Sequence, residues 1–168
     1  QELAYAKRHF FLPQRYRDPF HSGSVSTESF VRYDAYDLLM LETRDALGNR
    51  TTVGERKENG EIDPAKPGND YRVLQPWRVM DTNRNRSQMA FDALGMVVGT
   101  AVMGKPEETL GDSLEVFEAD LTAETIREHL NNPLADPHAI LRRATTRLVY
   151  DLDAYQRTKG DENPQSAV

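Results

Sequence analysis

Arg44-Asp45-Ala46-Leu47-Gly48-Asn49-Arg50-Thr51 returns further along the chain as Met80-Asp81-Thr82-Asn83-Arg84-Asn85-Arg86-Ser87. In each copy an Asp opens the stretch, an Asn stands four residues on, and Arg-Thr or Arg-Ser leads out. Runs that alternate apolar and polar residues flank both. Turn chemistry accounts for these choices. An Asp carboxylate accepts hydrogen bonds from backbone N–H groups just ahead of it, and Gly48, or a residue between Asn83 and Asn85, supplies the positive φ that a hairpin corner demands. The corner residues are therefore Asp45, Gly48 and Asn49 in the first copy and Asp81, Asn83 and Asn85 in the second. Such corners between alternating runs predict antiparallel β-hairpins. Thr82 and Arg84 are poorer turn formers than their counterparts, so the second corner is expected to be the looser one.

Working outward from the corners, residues 1–28 read as a loop-rich lead-in, in which Pro13, Pro19 and His21-Ser22-Gly23-Ser24 break any regular run. Residues 29–158 form the β-rich body. A strand is expected over Ser29 to Tyr36, and Leu38 to Thr43 and Thr51 to Glu55 flank the first corner. Lys57 to Asp70 holds Asn59-Gly60, Pro64 and Pro67-Gly68 and reads as a solvated excursion. Strand character resumes at Tyr71 to Gln75, and Pro76 argues for a sheet edge or bulge. Ser87 to Phe91 leaves the second corner, and Met96 to Met103 makes another strand. A two-helix insert near residues 122–145 follows: Thr122 is placed to cap one helix, and Asp136-Pro137 to open another. Residues 159–168 are polar and patternless and are expected to form a flexible tail.

Composition narrows the function. The chain has 168 residues, a net charge of -6, no cysteine and 38% hydrophobic residues, and its mean hydropathy is -0.69. One domain fits that length. The absence of cysteine excludes disulfides, thiolate metal sites and Cys nucleophiles. No basic cluster interleaved with aromatics points to nucleic acid, and no apolar run is long enough to span a membrane. The lean hydrophobic content suits a piece of a longer protein that packs on its neighbours.

Three aromatic-Asp pairs, Tyr33-Asp34, Phe91-Asp92 and Tyr150-Asp151, punctuate the strands. Together with the two corners they resemble the Rhs or YD-type repeat, whose units are β-hairpins. More narrowly, Tyr16-Arg17-Asp18-Pro19-Phe20, Tyr71-Arg72-Val73-Leu74-Gln75-Pro76, Phe91-Asp92-Ala93-Leu94-Gly95-Met96-Val97 and Ala144-Thr145-Thr146-Arg147-Leu148-Val149-Tyr150-Asp151 resemble the middle part of insecticidal toxin complex B components and of SpvB-like bacterial proteins. The resemblance covers residues 8 to 158. It implies a mainly β fold of antiparallel hairpins and a structural role: a segment of sheet wall in a shell that encloses and helps deliver a cytotoxic cargo. The implied partners are other segments of the same parent protein and toxin-complex C-like and A-like components, with self-association through sheet edges, and the implied location is secreted or cell-surface. Neither the self-cleaving protease motif of the C component nor an ADP-ribosyltransferase part is present, so no enzyme activity is expected.

Sharper site readings are weaker than their structural counterparts. Asp81, Asn83 and Asn85 mimic the first ligands of a Ca²⁺ loop, but Arg86 and Asp92 stand where such a loop needs Gly and Glu. The four histidines show no i, i+4 pair, and neither a nucleophile elbow nor a phosphate-cradling glycine loop occurs. No metal or cofactor is therefore expected. Asn49-Arg50-Thr51 and Asn85-Arg86-Ser87 fit the N-glycosylation pattern, yet both lie inside the repeated corner. Tyr71 and Trp77 form a possible aromatic platform, which makes a carbohydrate-binding β module the alternative function.

Overall fold

The computed structural model describes residues 2–165, and the fold is mainly β. Ten strands and four short helices follow in order: α1 (Glu2–Arg8), β1 (Arg15–Arg17), β2 (Glu28–Tyr33), β3 (Met40–Arg44), β4 (Arg50–Val53), β5 (Asn69–Asp70), β6 (Gln75–Pro76), β7 (Arg78–Met80), β8 (Arg86–Phe91), β9 (Val97–Met103), α2 (Ala123–Asn131), α3 (Pro137–Leu141), β10 (Thr146–Arg147) and α4 (Ala154–Thr158). Eight of the strands form one antiparallel sheet in the order β1-β2-β3-β4-β7-β8-β9-β10, and β5-β6 is a separate two-stranded ribbon. The chain divides into two compact units. The first comprises the residues up to Met89 with Val102–Gly111, the second Ala90–Ala101 with the residues from Asp112 on.

Four Asp residues build nearly the same corner. Asp45 N–H donates to Asn49 O (3.0 Å), Gly48 N–H donates back to Asp45 O (3.1 Å), and Gly48 has φ +85°. This is a three-residue hairpin loop, a type I turn followed by one left-handed residue. The Asp45 carboxylate then ties the corner from inside, accepting from Leu47 N–H (2.9 Å), Asn49 N–H (2.9 Å) and the Asn49 side-chain amide (2.8 Å). Asp92 repeats the pattern with Gly95 at φ +84°, and Asp34 repeats it with one extra residue and Asp37 at φ +56°.

The Asp81 corner keeps the same backbone path with one carboxylate tie fewer than the Asp45 corner. Asp81 N–H donates to Asn85 O (2.9 Å), and Asp81 accepts from Asn85 N–H (2.8 Å) and the Asn85 amide (3.1 Å). The left-handed position is filled by Arg84 at φ +69°, and Arg84 meets Glu107 at 3.0 Å. The carboxylate ties and this ion pair hold the geometry against the cost of a side chain at positive φ.

Other expectations shift in detail. Residues 1–28 hold a helix and an edge strand besides loop, with β1 pairing antiparallel to β2 from Arg15↔Phe30 to Arg17↔Glu28. Of Tyr71 to Gln75 only Gln75 is strand: the Asp70 carboxylate captures Arg72 N–H (2.8 Å), Leu74 adopts φ +55°, and Tyr71 to Leu74 turns between β5 and β6. Lys57 to Asp70 is not a solvated loop throughout. Lys57 to Glu61 closes a fifth corner with Gly60 at φ +84°, and Gly68 is buried where a Cβ would meet Gly54 N at 2.1 Å and Arg78 O at 2.3 Å. The helical insert forms as read, with Thr122 capping α2 through Thr125 N–H and Asp136 capping α3 with Pro137 in its first turn. In the second unit Gly99 leaves room for the Phe117 ring. Residues 159–163 are turn and bend, residues 164–165 are irregular, and the rest of the proposed tail lies outside the described residues.

Burial is sparse. Among the described apolar residues only Met80, Val98, Ala101, Ala144 and Ala154 are buried, and α2 buries none of its residues. The surface is 11644 Å². A compact monomer of 19.1 kDa exposes about 8,400 Å², and two separate bodies of half that mass about 10,100 Å². The excess over even the second figure, roughly 1,500 Å², exceeds the ~800 Å² that one partner brings to a standard interface.

Candidate functional site

Register decides what the first unit's sheet presents. The pairings Arg15↔Phe30, Arg17↔Glu28, Phe30↔Arg44, Arg32↔Glu42, Arg44↔Arg50, Glu42↔Thr52, Thr52↔Met80, Arg78↔Gln88 and Met80↔Arg86 place these side chains on one face, because directly opposed residues share a side of the sheet. Seven strand arginines therefore share a face with two strand carboxylates, Glu28 and Glu42. The contacts agree with this placement: the Arg17 and Glu28 side chains are hydrogen-bonded at 2.7 Å, Arg50 pairs with Glu42 at 2.5 Å, and Arg44 lies 4.6 Å over the Phe30 ring.

The segment after β4 folds back over half of that face. Glu55, 3% exposed, takes Lys66 Nζ at 2.8 Å, Arg78 Nη1 at 3.0 Å and Arg86 Nη1 at 3.4 Å. Arg86 also donates to the carbonyls of Gly104 (3.0 Å) and Lys105 (3.1 Å). Burial pushes the Glu55 carboxyl up, but the Lys66 hydrogen bond and the charges of Arg78, Lys66 and Arg86 outweigh it and hold it below the ordinary value. Next to it Arg56, 6% exposed, donates to Thr52 Oγ1 (3.0 Å) and to the carbonyls of Arg50 (3.1 Å), Met80 (3.4 Å) and Asp81. The Gln88 amide, oriented with its oxygen toward Arg78, accepts from Nη2 (2.8 Å) and Nε (3.0 Å). Every buried charge here has partners, as burial of charge requires.

The other half of the face, on β1 to β3, is open. Together with α1 it forms a cleft of about 590 Å³ lined by Tyr5, His9, Gln14, Arg15, Phe30, Arg32 and Arg44, with Asp34, Asp37 and Glu42 among its other walls. His9 Nδ1 meets Asp37 at 2.9 Å and stacks near Tyr5 with centroids 4.2 Å apart. Asp34 is tied into its corner and accepts the Tyr71 hydroxyl at 2.8 Å. Burial raises the Asp34 carboxyl, and the N–H groups of Leu38, Leu39 and Tyr36 with the Tyr71 hydroxyl lower it further, so the net position is below the ordinary value.

The corner residues expected from sequence lie where turns were read: Asp45, Gly48 and Asn49 in the β3-β4 loop, and Asp81, Asn83 and Asn85 in the β7-β8 loop, with Asn83 exposed at the tip. Both Asp81 oxygens are engaged by Asn85, which leaves this corner poorly disposed to hold a cation. Among the described residues no group of three or more His, Asp or Glu gathers as metal ligands, and no helix is long and apolar enough to cross a membrane. Tyr71 and Trp77 have different partners. The Tyr71 ring meets Tyr36 edge-on at 5.6 Å, whereas the half-buried Trp77 ring lies 4.4 Å from the Arg78 guanidinium. The arginine face was missed in the sequence; its available signal was Arg-x-Arg at 15–17, Arg44 and Arg50 at the ends of the first corner, and Arg86 at the exit of the second.

An antiparallel sheet of short hairpins with one arginine-rich face and little core describes a sheet-forming segment. One solved structure agrees at the level of fold. A chain in the crystal structure of TcdB2-TccC3-TEV matches with a TM-score of 0.58 at 20% identity over 94% of this chain, and this chain spans only 6% of that one. A chain in the structure of TcdB2-TccC3-Cdc42 is also similar, at 18% identity, covering 92% of this chain and 8% of that one with a TM-score of 0.42. No protein-family profile matches the sequence, and no curated protein does.

Proposed function

We propose that this chain is a non-enzymatic structural segment of a toxin-complex B-like protein, contributing sheet wall to a shell that encloses and helps deliver a cytotoxic cargo. The observation that carries this reading is the exposed surface. A chain with five buried apolar residues and an excess of roughly 1,500 Å² is suited to pack against more polypeptide than it contains. The corner tips point the same way. Leu47 and Leu94 stand at the same place in two Asp-Ala-Leu-Gly corners and are 88% and 69% exposed. A turn of this type needs Asp and a left-handed residue but not a Leu at the tip, so these exposed side chains are free to serve a contact outside the corner. The sheet fold shared with a TcdB2-TccC3-TEV chain and the Rhs-like and SpvB-like hairpin motifs support the same assignment. On this reading the partners are neighbouring parts of the parent protein and its C-like and A-like components, and the assembled protein acts outside the producing cell.

Light scattering with a hydrophobic dye tests this. The expected result is self-association or strong dye binding by the isolated chain, both relieved when it is joined to its neighbouring sequence. A monodisperse monomer with weak dye binding overturns the proposal.

A further inference from the structure

The two halves of the arginine face differ in how their charge is balanced. Under the folded-back segment, Arg78 and Arg86 share Glu55. On the open half, Arg15 and Arg17 share Glu28, at 3.6 Å and 2.6 Å, while neither Arg32 nor Arg44 has a carboxylate at ion-pair distance among the described residues. The carboxylates that line the cleft are already engaged: Asp34 by backbone N–H groups and Tyr71, Asp37 by His9, Glu42 by Arg50. The first unit is neutral by count, with 15 Lys and Arg against 15 Asp and Glu, so this local excess of positive charge comes from placement.

We propose that the open half of this face, centred on Arg15, Arg32 and Arg44 around Phe30, docks an extended acidic segment of a partner polypeptide. The proposal rests on the wall-segment reading for the existence of a polypeptide neighbour and adds the site and the chemistry. Spacing favours a polypeptide over a single anion. Arg15 and Arg44 flank Phe30 two strands apart, about 10 Å, and Arg32 lies about 7 Å along β2 from Phe30. That spread is too wide for one phosphate or sulfate, and carboxylates two residues apart on an extended chain, also about 7 Å, match it. The sheet edge supplies the second argument. β1 ends the strand order, and Val31 N–H donates inward to Gln14 O at 2.9 Å. By the alternation of an antiparallel ladder, Arg15 and Arg17 then turn their own N–H and C=O groups to the open edge, where a polypeptide can add as a strand with a repeating ladder that a glycan or nucleic acid does not reproduce. A second copy of β1 is disfavoured there, since it brings arginines against arginines.

The test uses the whole chain and a fluorescent synthetic peptide alternating Glu and Thr, with a Lys-Thr peptide, a sulfated oligosaccharide and a single-stranded oligonucleotide as comparison probes. Fluorescence anisotropy is expected to show binding of the Glu-Thr peptide alone, weakening with salt. Arg32→Glu combined with Arg44→Glu is expected to weaken it by about tenfold or more, and Arg32→Gln with Arg44→Gln by less. Arg127→Glu with Arg142→Glu, the same change of net charge in the second unit, is expected to leave it unchanged. Circular dichroism confirms that each variant is folded. Equal loss in both charge-reversal pairs, preference for the oligosaccharide or oligonucleotide, or no peptide binding by the folded chain each overturns the proposal. So does self-association that disappears in the Arg32/Arg44 variant without peptide binding, because the occupant is then a second copy. The two readings fail separately: weak dye binding by a monomer that still takes the peptide removes the wall reading, and self-association without peptide binding removes this one.

Discussion

Two halves of one sheet face, built from the same residue types, have different fates. On β4, β7 and β8 the arginines lie beneath Glu55 and Arg56, and the fully buried side chains Met80 and Thr52 sit there. On β1 to β3 the arginines face solvent and share what carboxylates they have. The difference is made by one excursion between β4 and β7, which puts a single carboxylate among three cations. Glu55 balances the covered half, and among the described residues no carboxylate stands at ion-pair distance from Arg32 or Arg44 on the open half.

The contrast is broken most strongly at Glu55. Glu55→Gln leaves Arg78 and Arg86 with a neutral partner in a buried place and is expected to cost about 3 to 5 kcal/mol in urea unfolding. The parallel change on the open half, Glu28→Gln, is expected to leave the unfolding midpoint where it was. Equal effects would mean that the halves do not differ as described. Met80→Ala, beneath the same cover, is expected to cost about 2 to 5 kcal/mol through the cavity it leaves, and Met40→Ala on β3, which is half exposed, much less.

Acid sharpens the same comparison. Glu55 is held below its ordinary value in the folded chain, so its contribution is present above the unfolded value near 4.5 and is lost as pH falls through the lowered folded value. Stability measured from pH 6 downward is expected to fall more steeply for the native chain than for Glu55→Gln. The smallest effect belongs to the corners. Arg84→Gly relieves a side chain at positive φ and is expected to raise stability by about 1 kcal/mol, whereas Gly48→Ala at φ +85° is expected to lower it by about as much.

The corners were legible because turn chemistry is local: Asp45, Gly48, Asn49 and Asp81 act within five residues, and Thr122 and Asp136 cap their helices within four. The ion pair that Arg84 makes at the second corner was not legible, because Glu107 is distant in sequence. Tyr71 to Gln75 had the composition of a strand, but the Asp70 carboxylate ties a turn over Tyr71 to Leu74 and leaves only Gln75 in β6. The arginine face was not legible, since it depends on a register carried from Arg44 to Arg50 and on to Arg78 and Arg86 across loops of unequal length. Glu55, read as the polar end of a strand, became the cover together with Arg56.

Hydrogen exchange of the isolated chain, followed peptide by peptide, tests the central claim most directly. The account predicts that amides of β4, β7 and β8 stay protected far longer than those of β1 to β3, and that adding the acidic Glu-Thr peptide slows exchange in β1 to β3 alone. Equal protection of both halves in the isolated chain would contradict it.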